Sequence, residues 1–308
     1  MGKASIMKKK IGFIDLYINN WHANNYPAWF RTAKRAGEFE LGYAYEEKPA
    51  PGSPSLEAWC EQKGMLPAHD IETVVANSDC LCVLAPNNPE AHDRLAALPL
   101  AAGKPLYIDK SFAPDKATAV RFFETARRHG TPLMSTSALR YGEEFVAMMK
   151  RFAGKRPVHV TATGGGRSFV EYSIHQIEME VVALGLGASS VTRIPGCATE
   201  LYSVRYGDGV RSALLTYNPK ADFTLTAFGE DRVAVAPGAT NMFPHLIDAM
   251  LEFFATGVSS VPEDETVEVA AIREAAIKAR SAPGAEIPSP DAIPGNPRRG
   301  VAPETVFR

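Results

Sequence analysis

Short apolar runs alternate with stretches of helical periodicity through the first half of the chain. The runs predict strands over 11–16, 39–45, 80–85, 106–109 and 133–137. Between them, apolar positions three and four apart predict helices over 26–36, 56–63, 71–76, 89–102 and 115–129, with Gly103 as the expected stop of the fourth. Strand and helix in turn at this spacing predict a parallel, doubly wound sheet. Beyond residue 137 the period changes. Residues 158–163 alternate apolar and polar, and a helix over 172–184 is followed by strands over 200–206, 210–217, 223–228 and 233–236. Gly207-Asp208-Gly209 and Gly229-Glu230-Asp231 supply turns between them. This reads as an antiparallel meander, closed by helices over 241–255 and 263–280. The expected fold class is therefore α/β: a Rossmann-type parallel sheet over 7–137, then an α+β domain with a largely antiparallel open sheet over 138–281. Residues 282–308 are rich in proline and lack any period, which predicts a disordered tail or an extended arm.

Composition narrows this picture. A chain of 308 residues is long enough for two domains. Lys+Arg 33 against Asp+Glu 35 gives a net charge of −2 and no basic excess for a nucleic-acid backbone. No window approaches the ~20 apolar residues of a membrane helix. Lys8-Lys9-Lys10 precedes an apolar stretch in the manner of a signal peptide, but Asp15 interrupts it after four residues. A soluble, cytoplasmic protein is expected. Four cysteines are too few for a disulfide scaffold, and Cys80 and Cys82 read as buried thiols on one strand.

A doubly wound sheet places its ligand beyond the first strand, where a dinucleotide site needs glycines for the turn and for close approach of the backbone. Here Asp15, Tyr17 and His22 stand in a stretch without glycine. Asp15 puts a carboxylate where a phosphate would sit, and Tyr17 fills the space of approach. Pro27 places the start of the next helix near Asn25, so a long loop is expected and ordinary pyrophosphate binding is disfavoured. Glu46 and Glu47 end the second strand, where an acid would hold a ribose. Residues 21–26 are dense in aromatic and amide side chains. They read either as a sugar-recognition loop with Asp15 and His22 as ligands, or as a helix capped by Asn24 or Asn25 with Trp21 packed on the core. Gly164-Gly165-Gly166 reads as a flexible turn after an edge-type strand. No spacing matches a metal motif, so none is expected.

The later segments carry a resemblance. Leu84-Ala85-Pro86-Asn87, then Ala101-Ala102-Gly103-Lys104-Pro105-Leu106-Tyr107-Ile108-Asp109-Lys110-Ser111, resemble the glucose–fructose oxidoreductase/inositol dehydrogenase (Gfo/Idh/MocA) family. In that family an A-G-K-h-V-h-x-E-K-P run ends a Rossmann strand and supplies a catalytic lysine. Asp109-Lys110-Ser111 matches it with the acid shortened and the proline lost. Leu139-Arg140-Tyr141 is similar to the family's Y-R-F segment. Glu171-Tyr172-Ser173-Ile174-His175-Gln176-Ile177-Glu178 stands for its D-x-G-x-H-x-x-D, with the histidine kept and both aspartates lengthened. The resemblance covers roughly residues 8–281. It implies catalytic Lys110, Glu171 and His175, an NAD(P) cofactor, a sugar or polyol substrate, and a homodimer or homotetramer formed through the open sheet.

The residues support proton chemistry in their own right. Glu171 and His175 are four apart and share a helix face, and a carboxylate beside an imidazole suits a general acid/base near neutral pH. Glu178, a further candidate for binding substrate or cofactor, either completes an acidic cluster around His175 or is simply a carboxylate on the helix face, the reading preferred here. Lys110, at a strand's C-terminal end, can stabilise an alkoxide or hold a hydroxyl. Asn87, Asp109 and Arg140 are the remaining candidates for binding substrate or cofactor. The leading expectation is an oxidoreductase on a neutral, hydroxyl-rich compound. The alternatives are a non-redox lyase, isomerase or hydrolase, or a non-catalytic sugar binder that has lost NAD(P).

Overall fold

A computed structural model of the chain describes residues 7–152 and 155–289. In chain order the first elements are β1 (Lys9–Asp15), α1 (Trp21–Thr32), β2 (Phe39–Glu46), α2 (Leu56–Lys63), β3 (Leu66–Pro67), α3 (Ile71–Asn77) and β4 (Cys80–Val83). There follow α4 (His92–Leu95), α5 (Ala97–Leu100), β5 (Leu106–Ile108), α6 (Lys116–His129), β6 (Leu133–Met134) and α7 (Glu143–Lys150). Next come β7 (His159–Gly164), α8 (Phe169–Leu184), β8 (Ala188–Ile194), β9 (Glu200–Tyr206), β10 (Ser212–Tyr217), β11 (Thr224–Phe228) and β12 (Val233–Ala236). The last described elements are α9 (Met242–Thr256), α10 (Glu263–Arg280) and β13 (Glu286–Pro288).

By its contacts the chain divides into two compact units. The first runs up to Ala113 and includes Arg121–Ser135 and Leu246–Ser260; the second holds Pro114–Val120, Thr136–His245 and the chain from Val261 on. Leu246–Ser260, read from the sequence with the second domain, belongs to the first: Phe254 lies against Phe39, and Glu252 pairs with Arg35 at 2.7 Å.

The first unit carries a parallel sheet in the order β3-β2-β1-β4-β5-β6. All four residues of β4 are fully buried, as a strand covered on both faces requires. The strand order reverses between β1 and β4, so the ligand crevice of this sheet lies beyond their C-terminal ends. Three expectations change here. Helix α1 begins at Trp21, not near Asn25, because Asn20 is the cap: its side chain accepts the Ala23 N–H at 3.1 Å. The turn after β1 is therefore the short segment 16–20, and Pro27 sits inside the helix, buried with Tyr26 and Phe30. Trp21 is 53% exposed and does not pack on the core. The helix expected over 89–102 breaks at Ala96 into α4 and α5, preceded by a 3₁₀ turn.

The second unit carries the order β12-β11-β7-β10-β9-β8-β13. β7 and β10 are parallel and the other pairs antiparallel, so the sheet is mixed rather than a pure meander. β7 is interior, not an edge strand. Its Gly164-Gly165-Gly166 end is a packing point rather than a flexible turn: a Cβ on Gly165 would meet the Asn218 carbonyl oxygen and lie 2.7 Å from that of Ala221. These are backbone atoms that cannot step aside, so Gly165→Ala should lower stability by about 1–3 kcal/mol, read as a lower urea midpoint. β8 was not anticipated at all. β13 makes residues 286–288 an arm paired with β8; the tail expectation for 290–308 lies outside the described residues.

Cys60, Cys80 and Cys82 are buried thiols, and Cys197 is exposed. Among the described residues no helix is long and apolar enough to cross a membrane, and no cluster of three or more candidate ligands is placed to hold a metal ion.

Candidate functional site

In the first unit, the candidate residues gather beyond the ends of β1, β4 and β5. Asp15, the last residue of β1, is 1% exposed. Its Oδ1 accepts the N–H groups of Tyr17 (3.2 Å) and Ala85 (3.1 Å), and its Oδ2 accepts the Asn20 amide at 2.6 Å. Ala85 follows β4 with φ +46°, a backbone twist that turns its N–H toward this carboxylate. Burial pushes the Asp15 pKa up to about 7, against the pull of these hydrogen bonds. Glu46, opposite Asp15 in the β1–β2 register, accepts the Ile18 N–H at 3.1 Å. Burial raises its carboxyl as well. Tyr17 is half-buried, with Lys48 over its ring, and Asn87 is half-buried in the turn after β4.

His22 stands on the first turn of α1 and is nearly buried. Its Nδ1 meets Asp109 Oδ2 in a very short contact, and the Tyr26 hydroxyl lies 3.2 Å from the same nitrogen. The other oxygen of Asp109 accepts the Lys110 N–H at 2.8 Å and the Tyr107 hydroxyl at 3.2 Å. Burial works against the Asp109 charge, but His22 and then Lys110 outweigh it and hold the carboxyl below its ordinary value. Lys110 is 5% exposed and donates from Nζ to the Pro86 carbonyl at 2.9 Å; the Lys110–Ser111 peptide is cis. Tyr26 and Tyr107 were not anticipated: Tyr26 has no local link to residue 109, whereas Tyr107, two residues before Asp109 and on the same side of the strand, has one. Nor was His92, buried between the Leu84 and Phe112 carbonyls at 2.6 and 2.9 Å, although a histidine on an apolar helix face was a visible signal.

In the second unit, His175 on α8 is half-buried beside the rings of Phe223 and Tyr172. The group on its Nδ1 is Ser137 Oγ, at 2.7 Å. Ser137 caps the short 3₁₀ turn Ala138–Tyr141. Glu171 is instead held by Arg167 at 2.9 Å. Glu178 is not a solvated helix-face carboxylate: it is 4% exposed and accepts the Ser137 N–H at 2.6 Å, the Thr136 hydroxyl and Arg140 Nε at 3.0 Å. Arg140 is equally buried, with Nη1 2.8 Å from Glu265 Oε2. Its charge is thus spent on two internal carboxylates. The sequence signal for Ser137 was its place at the end of a strand, just before the Leu-Arg-Tyr segment.

The turn after β1 can be tested against a dinucleotide. A pyrophosphate is gripped by backbone N–H groups beyond the first strand and at the following helix N-terminus. In this chain the N–H groups of Tyr17, Ile18 and Ala85 already point at Asp15 and Glu46, and that of Ala23 points at Asn20. A diphosphate would meet carboxylates where it needs donors. The residues of this turn do not fit that group.

No protein-family model matches the sequence, and neither does any curated protein. Solved structures do match over nearly the whole chain. Scyllo-inositol dehydrogenase from Lactobacillus casei superposes with a TM-score of 0.74 at 12% identity, covering 93% of this chain and 99% of its own. The WlbA dehydrogenase from Bordetella pertussis, solved with NADH and UDP-GlcNAcA, gives 0.72 at 14%, covering 92% and 99%. An oxidoreductase from Agrobacterium radiobacter, solved with NAD+, L-tartaric acid and magnesium, also gives 0.72 at 14%, covering 92% and 99%. The two-unit architecture of this chain is the fold of the Gfo/Idh/MocA-type dehydrogenases.

Proposed function

We propose that the chain is an oxidoreductase of the Gfo/Idh/MocA type acting on a sugar, polyol or related hydroxy compound, with Lys110 and His175 handling the hydroxyl proton. The observation that carries this reading is the nearly buried ammonium of Lys110, at the end of β5 in a sheet whose ligand crevice lies at its strand ends. A cation so placed lowers the cost of a developing alkoxide. His175, oriented through Nδ1 by Ser137, suits the transfer of the proton itself. The substrates named for the Lactobacillus and Bordetella proteins, an inositol and a nucleotide sugar, support the compound class. Assembly as a homodimer or homotetramer through the open face of the second sheet belongs to the same proposal.

One observation favours a second reading. The N–H groups that would hold an NAD(P) pyrophosphate are taken by Asp15 and Glu46, which suits a non-redox lyase, isomerase or hydrolase, or a sugar binder, on the same class of compound. The experiment is a panel of inositols, aldoses, uronic acids and sugar nucleotides, incubated with and without NAD+ or NADP+. Reduced nicotinamide is followed by absorbance and other products by mass. Formation of reduced nicotinamide supports the first reading. Product without it establishes the second and removes the first. With either activity, Lys110→Ala should cost about 100-fold in kcat; a variant as fast as the parent would exclude Lys110 from the chemistry.

A further inference from the structure

We propose that His22 is a second proton-transfer residue of this chain, with Asp109 as its positioning residue, acting on a hydroxyl of a neutral, polyhydroxylated substrate. The inference rests on the proposed enzyme activity toward such compounds and deepens it. His22 comes from the first turn of α1 and Asp109 directly follows β5, 87 residues apart in the chain, and the fold brings Nδ1 of one onto Oδ2 of the other. The carboxylate cannot swing away, because Tyr107 and the Lys110 N–H hold its second oxygen. The imidazole is fixed as well: its ring stacks on Tyr26 with centroids 5.2 Å apart, and the Tyr26 hydroxyl approaches Nδ1.

An ionised carboxylate on Nδ1 keeps the proton of the neutral ring on that nitrogen. The basic lone pair is then on Nε2, and the carboxylate stabilises the imidazolium that forms when Nε2 takes a proton. The pair lies at the strand-end crevice, and the residue after Asp109 is Lys110. A hydroxyl there would lose its proton to His22 Nε2 while its oxygen faces the Lys110 ammonium. The O–H bond breaks, the N–H bond forms, and the negative charge on oxygen is met by the cation. The ionised Asp109 carboxylate, and Asp15 beside it as an acceptor of backbone N–H groups rather than a source of donors, disfavour a phosphate and leave a neutral polyol as the ligand class.

The titratable groups that face the pair are Lys110, Asp15, Tyr26, Tyr107, His92 and Cys82. Asp15 titrates near neutrality, so the test compares variants at matched pH. The experiment is the pH profile of kcat for wild type, His22→Gln, Asp109→Asn and Asp15→Asn on a compound that the panel shows to be turned over. His22→Gln should lose at least about 100-fold in kcat and its acid limb. Asp109→Asn should lose a similar factor and move the limb to lower pH, because the imidazolium loses its counterion. Asp15→Asn should leave that limb in place. Should a variant fail to fold, NMR of the histidine ring nitrogens in wild type carries the test: the His22 signals should shift when the same compound is added. Turnover that survives His22→Gln with its acid limb intact overturns the inference while sparing the proposed function, as do unshifted His22 signals. A wild type that turns over no compound overturns both.

Discussion

Arg140→Ala should cost the second unit about 3–5 kcal/mol, the largest loss expected from any single side chain of the candidate residues. The guanidinium, 3% exposed, lies between Glu178 and Glu265, each 4% exposed. Burial works against its charge, but the two carboxylates more than restore it and hold Arg140 above its ordinary value. Burial likewise raises Glu178 despite the pull of Arg140. Removing the cation leaves two carboxylates buried away from bulk solvent, and that uncompensated charge, rather than the lost ion pair, is the source of the penalty. Urea unfolding should show a fall in midpoint with little change in slope. Arg140→Met combined with Glu178→Gln and Glu265→Gln should recover most of the loss, because no buried charge remains. If Arg140→Ala alone unfolds at the parental midpoint, the triad is not what holds this region. The effect should reach His175 too. Glu178 fixes the Ser137 backbone, and Ser137 Oγ sits on His175 Nδ1.

Arg140 and Glu178 are binding candidates by sequence, and their neutralisation by one another shows where sequence reasoning stops. The parallel sheet was legible because its strands are buried on both faces and read as unbroken apolar runs, as in Cys80–Val83. Asp15 and Lys110 were legible for the same reason: each ends such a run. The start of α1 was not, because Asn19, Asn20, Asn24 and Asn25 compete for the cap, and only three-dimensional structure shows that Asn20 accepts the Ala23 N–H. β8 escaped because Ser189, Ser190, Thr192 and Arg193 mask its apolar positions. The alternation of β7 does not tell an edge strand from an interior one, because a half-buried strand alternates in the same way at the edge and in the middle of a sheet.

The site chemistry was legible residue by residue and not pair by pair. His22 and Asp109 were separate candidates, and no local pattern joins positions 87 apart. The missing glycines after β1 were plain in the sequence. What the structure adds is that the space is filled by a network: Asp15 and Glu46, read as candidates to meet a ligand, turn inward to satisfy the backbone of their own turn.

Glu180→Gln should stabilise the protein by roughly 3 kcal/mol at pH 7, rising to about 5 kcal/mol by pH 9, and leave it unchanged near pH 4. Glu180 lies on α8, fully buried. Tyr206 donates to its Oε1 at 3.1 Å, and Oε2 has no hydrogen-bond partner among the described residues. Glu268 on α10 adds a second buried carboxylate, its Oε1 receiving the N–H groups of Gly187 and Ala188 at 2.8 and 2.7 Å. Burial, opposed by the Tyr206 bond and reinforced by Glu268, pushes the Glu180 pKa up to about 8 from an ordinary value of 4.5. The folded state therefore binds a proton that the unfolded chain releases above pH 4.5, and stability from this group is complete below that pH. It falls as pH rises toward about 8, beyond which the native state itself must carry the charge. Glutamine keeps the acceptor for Tyr206 and cannot ionise, so the variant should lack this decline. The measurement is the difference in unfolding free energy between Glu180→Gln and wild type from pH 4 to pH 9. A difference that grows with pH identifies Glu180 as the titrating group, whereas a flat difference would mean that its carboxyl is solvated and ionises at its ordinary value.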